Sequence, residues 1–386
     1  MSFCLLLLCV SVWFGIQADL FRRMRAFENY GWIYANPVGW TWQTLLDSPL
    51  RIVSLGISDK CPPDTVWNQL VPFEVQNLFL DNVDLNGADL GVLKHQTSLQ
   101  WLRAGDVTGI NNVLQNISPK SLNSFYGDNC DVDDHSLALL SQQSFLTQLE
   151  IARAKNVTSD GLTNFRNHGS ISDIDIQDSQ IDDRGLESIA NLPLRRLSLS
   201  GSLVTGSALA AWQGSSLRSL DLNETPLNAD HLQHLSSMNT LFRLGVRGVP
   251  LNDQQAEFIR QSPAVMELEL RNTGLTDVGV TRIATPQCPV MELDVLHLSP
   301  DLVNSIARRE ENCTFHVDKQ TVEPDLMRRV LKMECEVEFQ QCEFTSEAIE
   351  LIEQQHAAAH RLSIKEPLNT PDSVLQRMQR LYLLDN

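Results

Sequence analysis

Two histidine pairs and eight cysteines are the residues of this chain whose types and spacing invite a chemical reading. His356 and His360 stand four apart with Glu353 one turn earlier, the spacing that sets metal ligands on one face of a helix. The pair lacks the glutamate of a His-Glu-x-x-His site, and His360 directly precedes an apolar strand pattern at Leu362 that would end the helix first. His231 and His234 fall on a short helix of the convex side and read as surface residues. Cys4, Cys9, Cys61, Cys130, Cys288, Cys313, Cys335 and Cys342 are scattered and form no C-x-x-C pair, so free thiols filling small core slots fit better than a zinc site or a disulfide framework. No G-x-S-x-G elbow, P-loop or G-x-G-x-x-G occurs. Asn116, Asn156, Asn223 and Asn312 match N-x-[ST], which matters only on a eukaryotic secretory route. The expectation is a chain that is not an enzyme and uses no metal or cofactor.

What would position any functional residue is a repeat. L-x-x-L-x-L stands at Leu194-Arg-Arg-Leu197-Ser-Leu199, at Leu217-Arg-Ser-Leu220-Asp-Leu222 and, with valine last, at Leu241-Phe-Arg-Leu244-Gly-Val246. Copies start at Leu50, Val75, Leu99, Leu122, Leu146, Ile171, Leu194, Leu217, Leu241, Val265 and Val290, in steps of 23 to 25 residues. Weaker copies centre on Phe315-His-Val317, Val337-Glu-Phe339 and Leu362-Ser-Ile364, with a fragment at Leu381-Tyr-Leu383. The fourth and sixth positions alternate inward on a short strand, and the third and fifth point outward. A second apolar cluster follows: Leu186 with Ile189, and Val280 with Ile283, share a helical face, with a Thr or Asp ahead of each to cap it. A period of this length with this spacing predicts an α/β solenoid of leucine-rich repeats, a horseshoe or arc with a parallel sheet on its concave side and short helices on its convex side.

The stretch L-x-x-L-x-L-x-x-x-x-[IL]-[TD]-D-x-G-[LV]-x-x-[IL] resembles the ribonuclease-inhibitor-like leucine-rich repeats, and within them the subclass of F-box-type receptors. Ile171 to Ile189 and Val265 to Ile283 match it best, and Leu146 to Phe165 is close. The order of an apolar N-terminal run, a basic stretch and an aromatic segment (Gly31-Trp-Ile-Tyr34) before the repeats is similar to bacterial membrane-anchored leucine-rich repeat proteins. The resemblance implies protein binding and supplies no catalytic residue. No F-box is recognisable in the segment before the repeats.

The sequence divides into an apolar segment at 1–18, an N-terminal cap at 19–49, regular repeats at 50–311, and degenerate repeats with a C-terminal cap at 312–386. Phe3 to Ile16 is a charge-free run of 14 residues followed by Arg22, Arg23 and Arg25. That order favours an uncleaved membrane anchor whose side of the membrane stays open, with secretion after cleavage as the alternative. In the cap, 18–30 reads as a helix with Leu20, Met24 and Phe27 on one face. Trp32-Ile-Tyr34 and Trp40-Thr-Trp42 read as a β-hairpin around Asn36-Pro37-Val38-Gly39.

A net charge of −18 argues against nucleic acid as a partner and admits a basic protein surface. Among outward strand positions, Phe79, Trp101, Arg103 and Tyr126 cluster near the N-terminal end, residue types enriched at binding hot spots. Asp173, Asp175, Asp221, Glu267, Glu269, Glu292 and Asp294 form an acidic stripe, interrupted by Arg196, Arg218, Arg243 and Arg271. The sequence reading is a non-catalytic scaffold that binds a protein partner on its concave face through these residues. The alternative is a structural protein of the cell envelope with no specific partner there.

Overall fold

The computed structural model describes residues 19–20, 22–35, 50–283, 290–294, 314–318, 321–332, 336–355, 361–365, 367 and 371–380. The apolar run at 1–18, the segment 36–49 and His356 to His360 lie outside them, as do Cys4, Cys9, Cys288, Cys313 and Cys335. No helix among the described residues is long and apolar enough to cross a membrane. The chain forms two compact units, one of Met1–Ile181 with Asn191–Leu194, the other of Asp182–Ala190 with Arg195–Asn386.

Unit one is a sheet backed by short helical turns. Strand β1 (Gly31–Ala35) runs antiparallel to β2 (Leu50–Ser58). From β2 the pairing is parallel and sequential through β3 (Phe73–Asp81), β4 (Trp101–Gly105), β5 (Ser124–Asp128), β6 (Gln148–Ala152) and β7 (Asp173–Ile176). Leu55, Leu78, Leu102, Phe125, Leu149 and Ile174 stand opposite one another in this order, and all are buried. This ladder is the fourth repeat position, and each side chain in it contributes about 1.5–3 kcal/mol of burial.

Unit two repeats the plan. Strands β8 (Arg196–Ser198), β9 (Ser219–Asp221), β10 (Arg243–Gly245), β11 (Glu267–Glu269), β12 (Val290–Asp294) and β13 (Thr314–Asp318) are parallel. After β14 (Thr321–Val322), β15 (Glu336–Gln340), β16 (Glu343–Phe344) and β17 (Leu362–Lys365) follow; β15 and β17 extend the main sheet while β14 pairs with β16. Both units are leucine-rich-repeat solenoid, and Phe339 and Ile364 show that the weak C-terminal copies still bury their inward residues.

The second apolar cluster forms the short helices. Leu186 and Ile189 are fully buried, and Val280 and Ile283 nearly so. The caps are as the sequence requires: Asp133, Thr158 and Asp182 each accept from a first-turn backbone N–H of their own helix. The next aspartate does something else. Asp134 reaches into the following repeat and accepts from Thr158 N and Oγ1, both at 2.7 Å. Asp183 does the same to Thr205, and Asp253 to Thr276. The glycine of the D-x-G motif explains itself here, since a Cβ at Gly161 would overlap Asp134. Where two aspartates stand in succession, at Asp133-Asp134 and Asp182-Asp183, the first caps its own helix and the second staples the next repeat.

One strand pairing is new and two repeat frames are corrected. The Trp32 strand pairs with the first repeat strand, Trp32 facing Gly56, while the expected hairpin partner Trp40-Thr-Trp42 lies outside the described residues. The open edge of β2 needs a hydrogen-bonding partner, and β1 supplies it. The first repeat is framed two residues later than its apolar start at Leu50 suggests: Leu55 faces Leu78, so the fifth position is Gly56 and Ser54 is the third. A shift of two keeps inward and outward faces unchanged, which is why hydrophobic alternation cannot detect it. A shift of two in the opposite direction applies at Val290, which pairs with the third-position Glu267; Glu292 then takes the register of Glu269, and Asp294 lies beyond, opposite His316.

Candidate partner-binding face

Strand pairing places the outward residues of unit one in two rows. One row runs Gly56, Phe79, Arg103, Tyr126, Glu150, Asp175, and the other Ser54, Asn77, Trp101, Ser124, Gln148, Asp173. The four residues expected to anchor a partner are therefore brought together. Neighbouring strands lie about 4.8 Å apart, so the rings meet: Trp101 and Tyr126 have ring centroids 5.4 Å apart. Phe79 meets a ring that the sequence reading assigned to cap packing, Trp32, at 5.3 Å.

Trp32 lies against Gly56, where the missing side chain makes room for the indole. Half of the Trp32 surface and 45% of Trp101 remain exposed. The cap therefore covers part of Phe79 and leaves Trp101 and Arg103 open. Tyr126 is fixed by its hydroxyl, which donates to Gln148 Oε1 at 2.8 Å, and Ser124 Oγ donates to the same oxygen at 3.1 Å.

Between these rings is a depression of about 480 Å³. Its walls are Phe79, Trp101, Arg103, Tyr126, Asp128 and Glu150, and Ala104, Gly127 and Ala152 give it a floor of small residues. Beneath Gly127 the ring of Phe125 fills the core, so the floor is thin without being hollow.

The charges in this depression are unevenly matched. Asp128 is held by Arg153, Nη2 to Oδ1 at 2.7 Å. Arg153 has a positive φ of 57° at the point where each strand of this unit turns away from the sheet. Asp59, Asn82, Asp106, Asn129 and Asp178 occupy the same place in the other repeats, residue types that tolerate this conformation well. Arg103 is exposed, and among the described residues no carboxylate lies within ion-pair distance of its guanidinium.

The predicted acidic stripe divides between the units. In unit one, Asp173 accepts from Ser172 Oγ at 2.5 Å and Asp175 from Gln177 Nε2 at 3.0 Å. In unit two the carboxylates are internally compensated. Arg243 lies 3.6 Å from Asp221, 3.7 Å from Glu267 and 3.2 Å from Glu269. Arg247 lies 3.4 Å from Glu269 and 3.3 Å from Glu224. Glu269 is buried and also accepts from Asn223 Nδ2. Asp294 lies on β12, where the backbone alone is described.

The residues with chemical potential are structurally engaged. Glu353 is held by Arg377, with nitrogen–oxygen distances of 2.8 and 2.6 Å. His231 and His234 stack at 6.4 Å, and among the described residues no three His, Cys, Asp or Glu side chains converge as a metal site. Cys61, Cys130 and Cys342 are free thiols, of which Cys342 is buried and the other two are half-buried. Burial pushes the Cys130 thiol up from its ordinary range, and its S–H donates to the Ala104 carbonyl at 3.2 Å. That is the setting of a packed thiol rather than a nucleophile. Of the four sequons, Asn223 is buried and its side chain is used between repeats.

Sequence reasoning missed Trp32, Gly56, Gln148 and Arg153. The alternation Trp32-Ile33-Tyr34 carried a signal for the first of these, since it marks a strand with one aromatic face; which strand it faces depends on pairing.

No family model matches this chain, and no curated protein matches it. Among solved structures the chain is similar to an internalin (inlF) from Listeria monocytogenes strain 4b F2365, at 15% identity, with 91% of this chain and 95% of that chain covered and a TM-score of 0.44.

Proposed function

We propose that this protein is a non-catalytic recognition scaffold that binds a protein partner on the outward sheet face of unit one. The observation that carries this reading is the group of exposed rings, Trp32, Trp101 and the partly covered Phe79 and Tyr126; the last three line a depression with Arg103, which has no carboxylate partner among the described residues. The solenoid core does not need large aromatics there, because every one of them points away from it. Large apolar side chains held out to water in one contiguous patch mark interaction sites in soluble proteins. The acidic residues of unit two serve a different end in this reading, since Arg243 and Arg247 already engage them.

The test is a crosslinking pull-down from native lysate with residues 19–386 as bait, set beside a Phe79, Trp101 and Tyr126 to Ala variant checked for folding. Proteins captured by the first and lost with the second support the reading. Identical capture from both transfers the role to another surface, or to a structural protein of the envelope without a concave-face partner. We further propose that the apolar run before Ala18 holds the chain at a membrane, on the strength of its charge-free length and the arginines behind it. Release of the full-length protein into the soluble fraction on lysis would refute this.

A further inference from the structure

The arginines of this protein differ in one respect that bears on what the depression holds. Arg153 takes Asp128, Arg247 takes Glu224 and Glu269, and Arg243 takes three carboxylates. Arg103 takes none among the described residues, although Asp128 and Glu150 line the same depression. Arg166, Arg195 and Arg218 also have no ion pair among the described residues, and of these four arginines Arg103 is the one that lines the depression, among aromatic side chains. The arrangement around it is built. Register puts Phe79 on one side of Arg103 and Tyr126 on the other, with Trp101 two residues before it on the same face. Asp128 is already engaged by Arg153. Arg103 is exposed, and a planar fork of N–H groups matches a carboxylate bidentately.

We propose that the depression binds a single carboxylate of a partner polypeptide, an acidic side chain or a C-terminus set beside an aromatic or aliphatic side chain. Arg103 receives the carboxylate, and Trp101 with Tyr126 takes the apolar neighbour. The inference rests on the protein-binding reading above and narrows it. Glu150 stands two strands from Arg103, with Asp175 and Asp173 beyond it. A polyanion such as nucleic acid would meet these carboxylates, so one anionic group is accepted and a run of them is not. The partner's chemistry is therefore acidic at one point and apolar next to it, the reverse of the basic surface that overall charge suggests.

The test uses the full chain as immobilised target for a random heptapeptide phage library, with an Arg103→Gln chain as the counter-selector. The expected result is enrichment of peptides with Asp, Glu or a free C-terminus adjacent to an aromatic or aliphatic residue. The best such peptide, made synthetically, should lose at least ~tenfold in affinity against Arg103→Gln, as loss of a bidentate charge-assisted pair implies. Changing its acidic residue to lysine should abolish binding to the native chain and restore it to Arg103→Glu. Enrichment of basic or neutral peptides, or affinity unchanged in Arg103→Gln while Trp101→Ala removes it, overturns the carboxylate assignment and leaves the protein-binding reading standing. Peptides insensitive to both substitutions, or no enrichment, overturn both. Circular dichroism and thermal melts of each variant confirm that the sheet is intact.

Discussion

The indole of Trp32 lies against Gly56, its direct partner across the antiparallel ladder, and leaves no space for a Cβ there. This one contact brings the N-terminal strand onto the face proposed for partner binding, because the same indole meets Phe79 on the next strand. Gly56→Ala is expected to push the ring off the sheet. Overpacking of this kind costs about 1–3 kcal/mol. Urea titration of the variant should show that loss, and tryptophan emission should shift as Trp32 changes its surroundings. Unchanged stability and emission would mean that Trp32 does not seat on Gly56 in solution.

The staple from Asp134 to Thr158 makes a separate prediction. Asp134→Ala removes two hydrogen bonds of 2.7 Å between successive repeats. Charge-assisted bonds that are partly exposed contribute about 1–2 kcal/mol together. Gly161→Ala should be destabilising in the native background and less so in Asp134→Ala, since the overlap is with Asp134 itself. A double-mutant cycle by chemical denaturation measures this, and strict additivity would show that the two residues do not touch.

How far the chain could be read in advance follows from which features are periodic. Leu102, Phe125, Leu149 and Ile174 recur every 23 to 25 residues, so the inward ladder and the sheet follow from pattern alone. Phe79, Trp101, Arg103 and Tyr126 could be placed together because position within a parallel repeat is position in space. Gly56 and Glu292 could not be assigned, because a frame slip of two residues preserves every inward and outward choice. Trp32 was invisible as a member of the face because β1 is antiparallel and lies outside the repeat. The compensation of Asp221, Glu267 and Glu269 by Arg243 was also hidden, since a list of outward residues gives their order and not the reach of a long side chain.

Arg243 offers a direct test of that compensation. Arg243→Met leaves the buried Glu269 with less of its counter-charge and sets three carboxylates against one another. Arg243 itself is 36% exposed, so solvent screens the effect, and a loss of about 1–2 kcal/mol is expected rather than the larger value of a fully buried pair. The deficit should shrink as salt is raised, because added ions screen the repulsion among the freed carboxylates. A melt unaffected by the substitution at low salt would show that the carboxylates are hydrated independently.

Acid should loosen the staples. Burial raises the pKa of Asp183, but hydrogen bonds from Thr205 Oγ1 and from the backbone N–H groups of Thr205, Ala208 and Gly206 outweigh it and hold the carboxyl below the usual 3.8. Asp133 is likewise raised by burial and brought below 3.8 by bonds from Ser136 and Asn111. A carboxyl whose folded pKa is depressed adds stability that is fully present above its unfolded value. That stability disappears as pH falls through the folded value. Unfolding free energy should therefore be flat in this contribution at neutral pH and fall below pH 3.8. Asp183→Asn, which keeps acceptor geometry on one oxygen and removes the titration, should be less stable than the native chain at pH 7. The gap between the two should narrow as pH drops below 3.8, because the native aspartate is then protonated as well. Denaturation of both chains across this range decides the point. A gap that stays constant into acid would mean that Asp183 is not held ionised by the next repeat, and the staple would have to be read as a neutral hydrogen bond.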